Sequence, residues 1–234
     1  MKPSSRLLAH AAAWGSRNGG GPLTVSFVGQ KGGVGKSTLA RLFAVGAAYR
    51  GLNPLLADFD LEQLTCVEWN AIRLQNSVEP DLDVRAFKSL KKLRKREDRA
   101  GVVVVDTRGL ADELTQEIAE ESDVAFLPTG PSGDDLRPTL ALARKLAKQG
   151  AEGRVVLVLA RVGRSDVQVQ KAVETIEASG FELLAEHWPQ RDGFQIDLDA
   201  GRAGREARNP FLREAAERME SALFSRVESA RPRG

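Results

Sequence analysis

One cysteine, Cys66, stands among 234 residues. A lone thiol closes no disulfide within the chain and builds no zinc or iron–sulfur site on its own. Cys66 therefore reads as a small apolar residue packed into the interior. Charge of one sign is nearly absent in excess: the formal net charge is +2. So small an imbalance does not by itself argue for a nucleic-acid partner, and such an argument has to come from local clusters. No apolar run approaches the length that crosses a bilayer. The stretch Leu7–Trp14 is short, is broken by His10 and lacks a cleavage site of secretory type, so a cytoplasmic location is expected.

What is present fits one sizeable α/β domain: 42% hydrophobic and 28% charged residues, over a length that fills a core. Ser16–Pro22 has the composition of a flexible linker, so residues 1–22 are expected to form an extension and 23–234 the domain. Apolar runs of strand length occur at Leu23–Val28, Pro54–Ala57, Val102–Val105, Val124–Leu127 and Val155–Leu159. They do not alternate with polar residues, which marks strands buried on both faces. Helical patterns separate them, at Lys36–Arg50, Glu62–Gln75, Lys88–Arg99, Asp112–Glu121, Asp134–Gln149 and Val167–Ser179. Gly51, Gly150 and Gly180 stand just past three of these, where glycine takes the left-handed conformation cheaply. Strand–helix alternation predicts a doubly wound, mainly parallel sheet with helices on both faces and a ligand site at the carboxyl ends of the strands.

The sharpest motif is Lys31-Gly32-Gly33-Val34-Gly35-Lys36-Ser37-Thr38, which follows the first strand and opens a helix. Glycines let backbone N–H groups turn inward with no Cβ in the way, and the helix N-terminus completes an anion cradle. Lys36 is placed to reach β and γ phosphates, and the Ser37 hydroxyl to ligate Mg²⁺. The strict phosphate-loop pattern has glycine where this chain has Gln30, and a second lysine, Lys31, stands beside it. Gly19-Gly20-Gly21 is the contrast: no strand precedes it and no lysine follows.

Residues 31–38 resemble the deviant Walker A of the ParA/MinD group of ATPases. Three further segments are similar to that family in the same order: Leu55–Asp60, Val102–Gly109, and Phe126–Ser132 with Asp135-Leu136. Trp188–Phe194, Gly201 and a helix from Asn209 resemble the ParA ending. The resemblance spans most of residues 23–226 and implies a P-loop ATPase using ATP and Mg²⁺. It implies that Lys36, Thr38 and the loop from Gly32 through Gly33, Val34 and Gly35 hold the phosphates. Ser37 would ligate Mg²⁺, with Asp58 and Asp106 on the metal side. Asp60 would orient the attacking water, the Gly109 amide would sense the γ-phosphate, and Lys31 would reach the nucleotide of a second subunit in an ATP-dependent homodimer. Arg161 and Pro189 are candidates for lining the adenine site.

The chain departs from the family in places. Leu61 and Arg108 stand where proline is usual, and Ala160-Arg161 where an asparagine is frequent. Arg108 is open to three readings: a phosphate contact, a contact with a second subunit, or a solvated side chain.

Two clusters carry the case for DNA. Lys88–Arg99 includes Lys91, Lys92 and Lys95 in a helix-like run, and Arg191, Arg202, Arg205, Arg208 and Arg213 crowd the C-terminal third. Such groups neutralise phosphates without reading sequence. The resemblance then implies a switch that binds DNA non-specifically and partitions plasmid or chromosome cargo with a ParB-like partner, at the nucleoid. Positioning of a protein cargo, such as a chemoreceptor cluster or microcompartment, remains open on the same residues. A membrane-binding, MinD-like reading is disfavoured, because Phe211, Ala215, Met219, Ala222, Leu223 and Val227 form a core-type stripe. The nitrogenase iron protein type would need several cluster cysteines.

Overall fold

The computed structural model describes residues 21–110 and 112–230. The expected extension lies outside the described residues over positions 1–20. Among the described residues the chain forms a seven-stranded sheet in the order β3-β2-β4-β1-β5-β6-β7. Every pairing in it is parallel.

The five expected strands are β1 (Leu23–Phe27), β2 (Pro54–Asp58), β4 (Val102–Asp106), β5 (Val124–Thr129) and β6 (Val155–Leu159). These form the centre, and nearly all their residues are buried, as runs without polar alternation require. Successive residues still face opposite sides. Val25, Phe27, Leu56, Val104 and Phe126 join one core cluster. Leu55, Ala57, Val103, Val105 and Leu127 join the other.

Helices cover both sheet faces: α1 (Lys36–Tyr49), α2 (Thr65–Gln75), α4 (Glu113–Glu121), α5 (Gly133–Leu146), α6 (Asp166–Ala178), α7 (Asp192–Asp199) and α8 (Pro210–Ser229). The short α3 (Leu90–Leu93) lies before β4. Asp112 caps α4 by accepting from the Thr115 amide, and Ser165 caps α6 through the Gln168 amide. Helix α5 widens over Ala147–Ala151, where Gly150 at φ 91 turns the chain away.

Several expectations need correction. The basic segment 88–99 is not a continuous helix; only Leu90–Leu93 is helical, anchored by buried Leu90 and Leu93. Like charges four residues apart, Lys88/Lys92, Lys91/Lys95 and Lys92/Arg96, oppose a longer helix. The edge strands β3 (Asp83–Ala86) and β7 (Glu182–Leu183) were not predicted, nor was α7. The C-terminal stripe packs into the core through Met219, Leu223 and Val227, but Phe211 is 82% exposed. Among the described residues, no helix is long and apolar enough to cross a membrane.

Candidate functional site

Strand order reverses at β1, which has β4 on one side and β5 on the other. A crevice opens there, beyond the carboxyl ends of the strands. The glycine loop leaves β1 into that crevice. Gly33 sits at φ 71 and Gly35 at φ 102, both left-handed, so the loop folds back over the start of α1. The switch segment after β4 presses against it: a Cβ on Gly109 would lie 2.7 Å from the Gly32 nitrogen. Glycine at 109 is therefore a condition of that approach.

Lys36 is buried, and its Nζ donates to the Lys31 carbonyl at 3.0 Å. Burial lowers its pKa, while Asp106 and Asp60 act in the opposite direction. Register places Asp58 of β2 directly beside Asp106 of β4, and Asp106 beside Phe27 of β1. Asp106 is 1% exposed. Burial pushes its carboxyl up to about 6; a hydrogen bond from Ser37 opposes the rise, and the charge on Asp58 adds to it. One oxygen of Asp106 accepts from the Cys66 thiol at 3.2 Å, while its Oδ1 is buried without a hydrogen-bond partner. Burial also pushes the Cys66 thiol well up, which keeps it a donor.

Asp58 has a different environment. Its oxygens accept from the amides of Asp60 at 3.0 Å, Cys66 at 2.8 Å and Val67 at 3.3 Å. It thus anchors the first turn of α2, whose own cap residue, Leu64, supplies no side-chain bond. Sequence reasoning missed this, because the partners lie eight and nine positions further on. Asp60 is half-buried and bonds the Gln63 amide, at the mouth of the crevice.

Arg108 ion-pairs with Asp112 on its own loop. Lys31 is exposed and pairs with Asp135. Arg161 adopts φ 55, rare for a residue with a side chain. Beyond it Val162 pairs with Pro189 in a parallel bridge, which brings Arg161 and Pro189 together. They line a pocket of about 500 Å³ with Gly33, Gly35, Lys36, Ser37 and Thr38. Arg191 also lines it, so it belongs to this mouth rather than to the C-terminal arginine cluster.

The other basic residues are scattered differently from the sequence picture. Lys91, Lys92 and Lys95 are exposed around α3. Arg202, Arg205 and Arg213 line a second hollow of about 440 Å³ with Tyr49, and Arg208 is exposed. Arg205 is not free: it pairs with buried Glu220 at 2.6 Å and lies over the Tyr49 ring at 4.5 Å.

No group of three or more His, Cys, Asp or Glu side chains capable of holding a metal occurs among the described residues. The residues nevertheless fit Mg²⁺ bound together with a nucleotide. Asp106, which accepts from the Ser37 hydroxyl, keeps a buried carboxylate oxygen without a partner, and Mg²⁺ typically takes few protein ligands and keeps waters and phosphate oxygens.

A parallel sheet whose central strand feeds a lysine-bearing glycine loop into its switch point defines a P-loop nucleotide-binding protein. Within that class, the model of the CobQ/CobB/MinD/ParA nucleotide binding domain matches residues 25–197, and the chain belongs to that family. A curated relative, Protein ParA of Rhizobium radiobacter, is 26% identical over 105 residues, 45% of this chain. That alignment spans 47% of the relative's length, about half. Two solved structures share the fold. The septum site-determining protein MinD from Pyrococcus horikoshii, complexed with Mg-ADP, has a TM-score of 0.70 at 15% identity, covering 89% of this chain and 99% of that one. A putative plasmid partition protein from Borrelia burgdorferi, bound to AMPPNP, has a TM-score of 0.68 at 15% identity, covering 87% and 99%.

Proposed function

We propose that this chain is a switch ATPase that dimerises around Mg·ATP, binds DNA without sequence preference, and positions plasmid or chromosome cargo with a ParB-like partner that stimulates hydrolysis. The observation that carries the reading is one arrangement. Lys36 and Ser37 open α1 beneath left-handed Gly33 and Gly35, and face Asp106, whose buried Oδ1 lacks a partner.

Phosphoryl transfer to water needs charge neutralisation and alignment more than covalent help. Lys36 sits where its ammonium, already desolvated, strengthens its hold on β and γ phosphate oxygens. The amides of Gly32–Gly35 supply fixed dipoles at no reorganisation cost. Mg²⁺, held by the Ser37 hydroxyl, nucleotide oxygens and waters, would neutralise charge on the phosphates. Asp106 holds that hydroxyl, and its unpartnered Oδ1 would be the oxygen that helps to hold the cation's shell. Asp60, at the crevice mouth, aligns the attacking water. Asp58 acts indirectly, by fixing α2 and hence the Asp60 loop. The Gly109 amide, packed on the loop, reports whether the γ-phosphate is present, and Lys31 enters the site of a second subunit.

Hydrolysis is expected to be slow without the partner, since this chain brings no trans-acting group to its own site when monomeric. Exposed Lys91, Lys92, Lys95, Arg208 and Arg213, with half-buried Arg202, are the proposed DNA contacts, and Arg205 is their support. The test is a DNA shift assay with Mg·ATP, Mg·ADP and no nucleotide, run beside light scattering. Retardation and doubled mass with Mg·ATP alone are expected. ATP-loaded protein that stays monomeric and ignores DNA at low salt overturns the reading.

A further inference from the structure

Arg41 lies one helical turn beyond Ser37 and Thr38 on α1, on the face that lines the nucleotide-sized pocket. It is 7% exposed. One guanidinium nitrogen donates to the carbonyl of Thr65, the first residue of α2. The plane lies over Trp69, with Cζ 5.3 Å from the ring centroid. Its Nε is buried with no hydrogen-bond partner. A buried guanidinium normally fills its donors and faces a carboxylate. Among the described residues Arg41 forms no salt bridge to a carboxylate, although other buried or half-buried arginines have one, such as Arg73 with Glu206 and Arg205 with Glu220.

We infer that Arg41 is a nucleotide-binding residue: its guanidinium takes the phosphate oxygens nearest the sugar, on the opposite side of Thr38 from Lys36. The inference rests on the nucleotide reading above and deepens it. Three features carry it. The residue is on the same helix face as Ser37 and Thr38. Its charge calls for an anion rather than a hydroxyl. Thr65 and Trp69 hold the fork in place before any ligand arrives, so little side-chain entropy is lost on binding. Because Thr65 begins α2, the same contact ties the sugar end of the nucleotide to the helix that follows the Asp60 loop.

The experiment titrates the full chain with Mg·ADP, Mg·AMPPNP and Mg·2′-deoxy-ADP by calorimetry, using wild type, Arg41→Gln, Arg41→Lys and Lys36→Ala. Nucleotide-free thermal unfolding of each accompanies it. Losing a charge-assisted contact should raise Kd roughly tenfold to a hundredfold. For Arg41→Gln that rise is expected to be equal for all three ligands, and smaller for Arg41→Lys, which keeps the charge without the fork. Arg41→Lys carries the test alone if the glutamine variant does not fold. Kd values within twofold of wild type overturn the inference. So does a rise confined to Mg·AMPPNP, which would place the guanidinium at the γ end, or one that vanishes with 2′-deoxy-ADP, which would place it on the ribose. A lowered nucleotide-free melting temperature with unchanged Kd assigns Arg41 a structural role and also overturns it. Wild-type protein that takes up none of the ligands sinks the underlying nucleotide reading instead, and that result is recognisable because Lys36→Ala then matches wild type.

Discussion

Nζ of Lys31 lies 2.6 Å from Oδ1 of Asp135, in the first turn of α5, and near the Asp134 carbonyl. Burial works against ionisation of Asp135, but hydrogen bonds from Lys31 and Ser132 outweigh it and hold the carboxyl below its ordinary range. The lysine expected to reach a second subunit is thus engaged within its own. That engagement is weak enough to be exchanged: half of the Lys31 side chain is exposed, and exposed pairs contribute about 0.2–1 kcal/mol.

Lys31→Ala should therefore leave thermal stability almost unchanged and leave nucleotide uptake intact, while abolishing the rise in mass with Mg·ATP. Differential scanning calorimetry and light scattering check the two halves. Normal ATP-dependent dimerisation in this variant would remove Lys31 from the cross-subunit role.

Asp106 gives a pH dependence with a definite sign. Its folded pKa, about 6, exceeds the ordinary aspartate value of 3.8, and burial is the leading cause. A raised carboxyl favours the folded state while protonated. That contribution is complete below about pH 4 and is lost as pH rises through about 6. The difference between the two values corresponds to about 3 kcal/mol. Without metal or nucleotide, Asp106→Asn should melt above wild type at pH 8 and alongside it near pH 4, while Mg²⁺-dependent hydrolysis is lost. A melting difference that does not change between those pH values would show that the carboxylate is not strained by burial.

The phosphate loop and the central strands were legible in the sequence because their signals are local. Glycines at 33 and 35, the lysine and serine after them, and runs such as Val102–Val105 each carry their own meaning. Strand β3, Asp-Val-Arg-Ala, was not, because an edge strand with three exposed residues out of four has no apolar run to find. Helix α7 is only eight residues long and shows just Phe194, Asp197 and Leu198 to the interior. For Asp58 the strand-end position is visible in sequence, while its amide partners on α2 are not. Arg41 gave no signal at all, because its meaning depends on the pocket wall formed by residues near 190.

A second stability relationship joins α2 to the C-terminal region. Arg73, fully buried, forms a two-pronged pair with Glu206 at 2.7 Å and donates to the carbonyls of Pro80 and Gly201. Removing one member of a buried pair leaves an uncompensated charge, so Arg73→Ala should cost about 3–5 kcal/mol in urea unfolding. Gly201→Ala should also destabilise, by at least about 1–2 kcal/mol for its backbone conformation. Gly201 sits at φ 76, and a Cβ there would come 2.5 Å from the Arg73 Cα. A neutral Gly201→Ala would contradict the close approach.

The arginines near residue 205 divide into an ion-paired supporting member and others without a salt bridge among the described residues, and that division can be measured. Arg205 shares Glu220 with Arg50, and Glu220 is almost fully buried, its carboxyl raised by that burial against the pull of both arginines. Arg205→Glu would set two carboxylates against each other, so lost DNA binding in that variant would not separate contact from collapse. Arg202→Glu and Arg213→Glu change groups with no salt bridge among the described residues, and should leave the melting temperature within a few degrees of wild type. In fluorescence titrations of a random duplex with Mg·ATP, each lost phosphate contact should flatten the slope of log K against log salt by roughly 0.9. Affinity should fall alike for unrelated sequences. Lys91→Glu with Lys92→Glu, on α3, makes the parallel test for the other cluster. An unchanged salt slope in all of these variants would move the DNA surface elsewhere on the molecule.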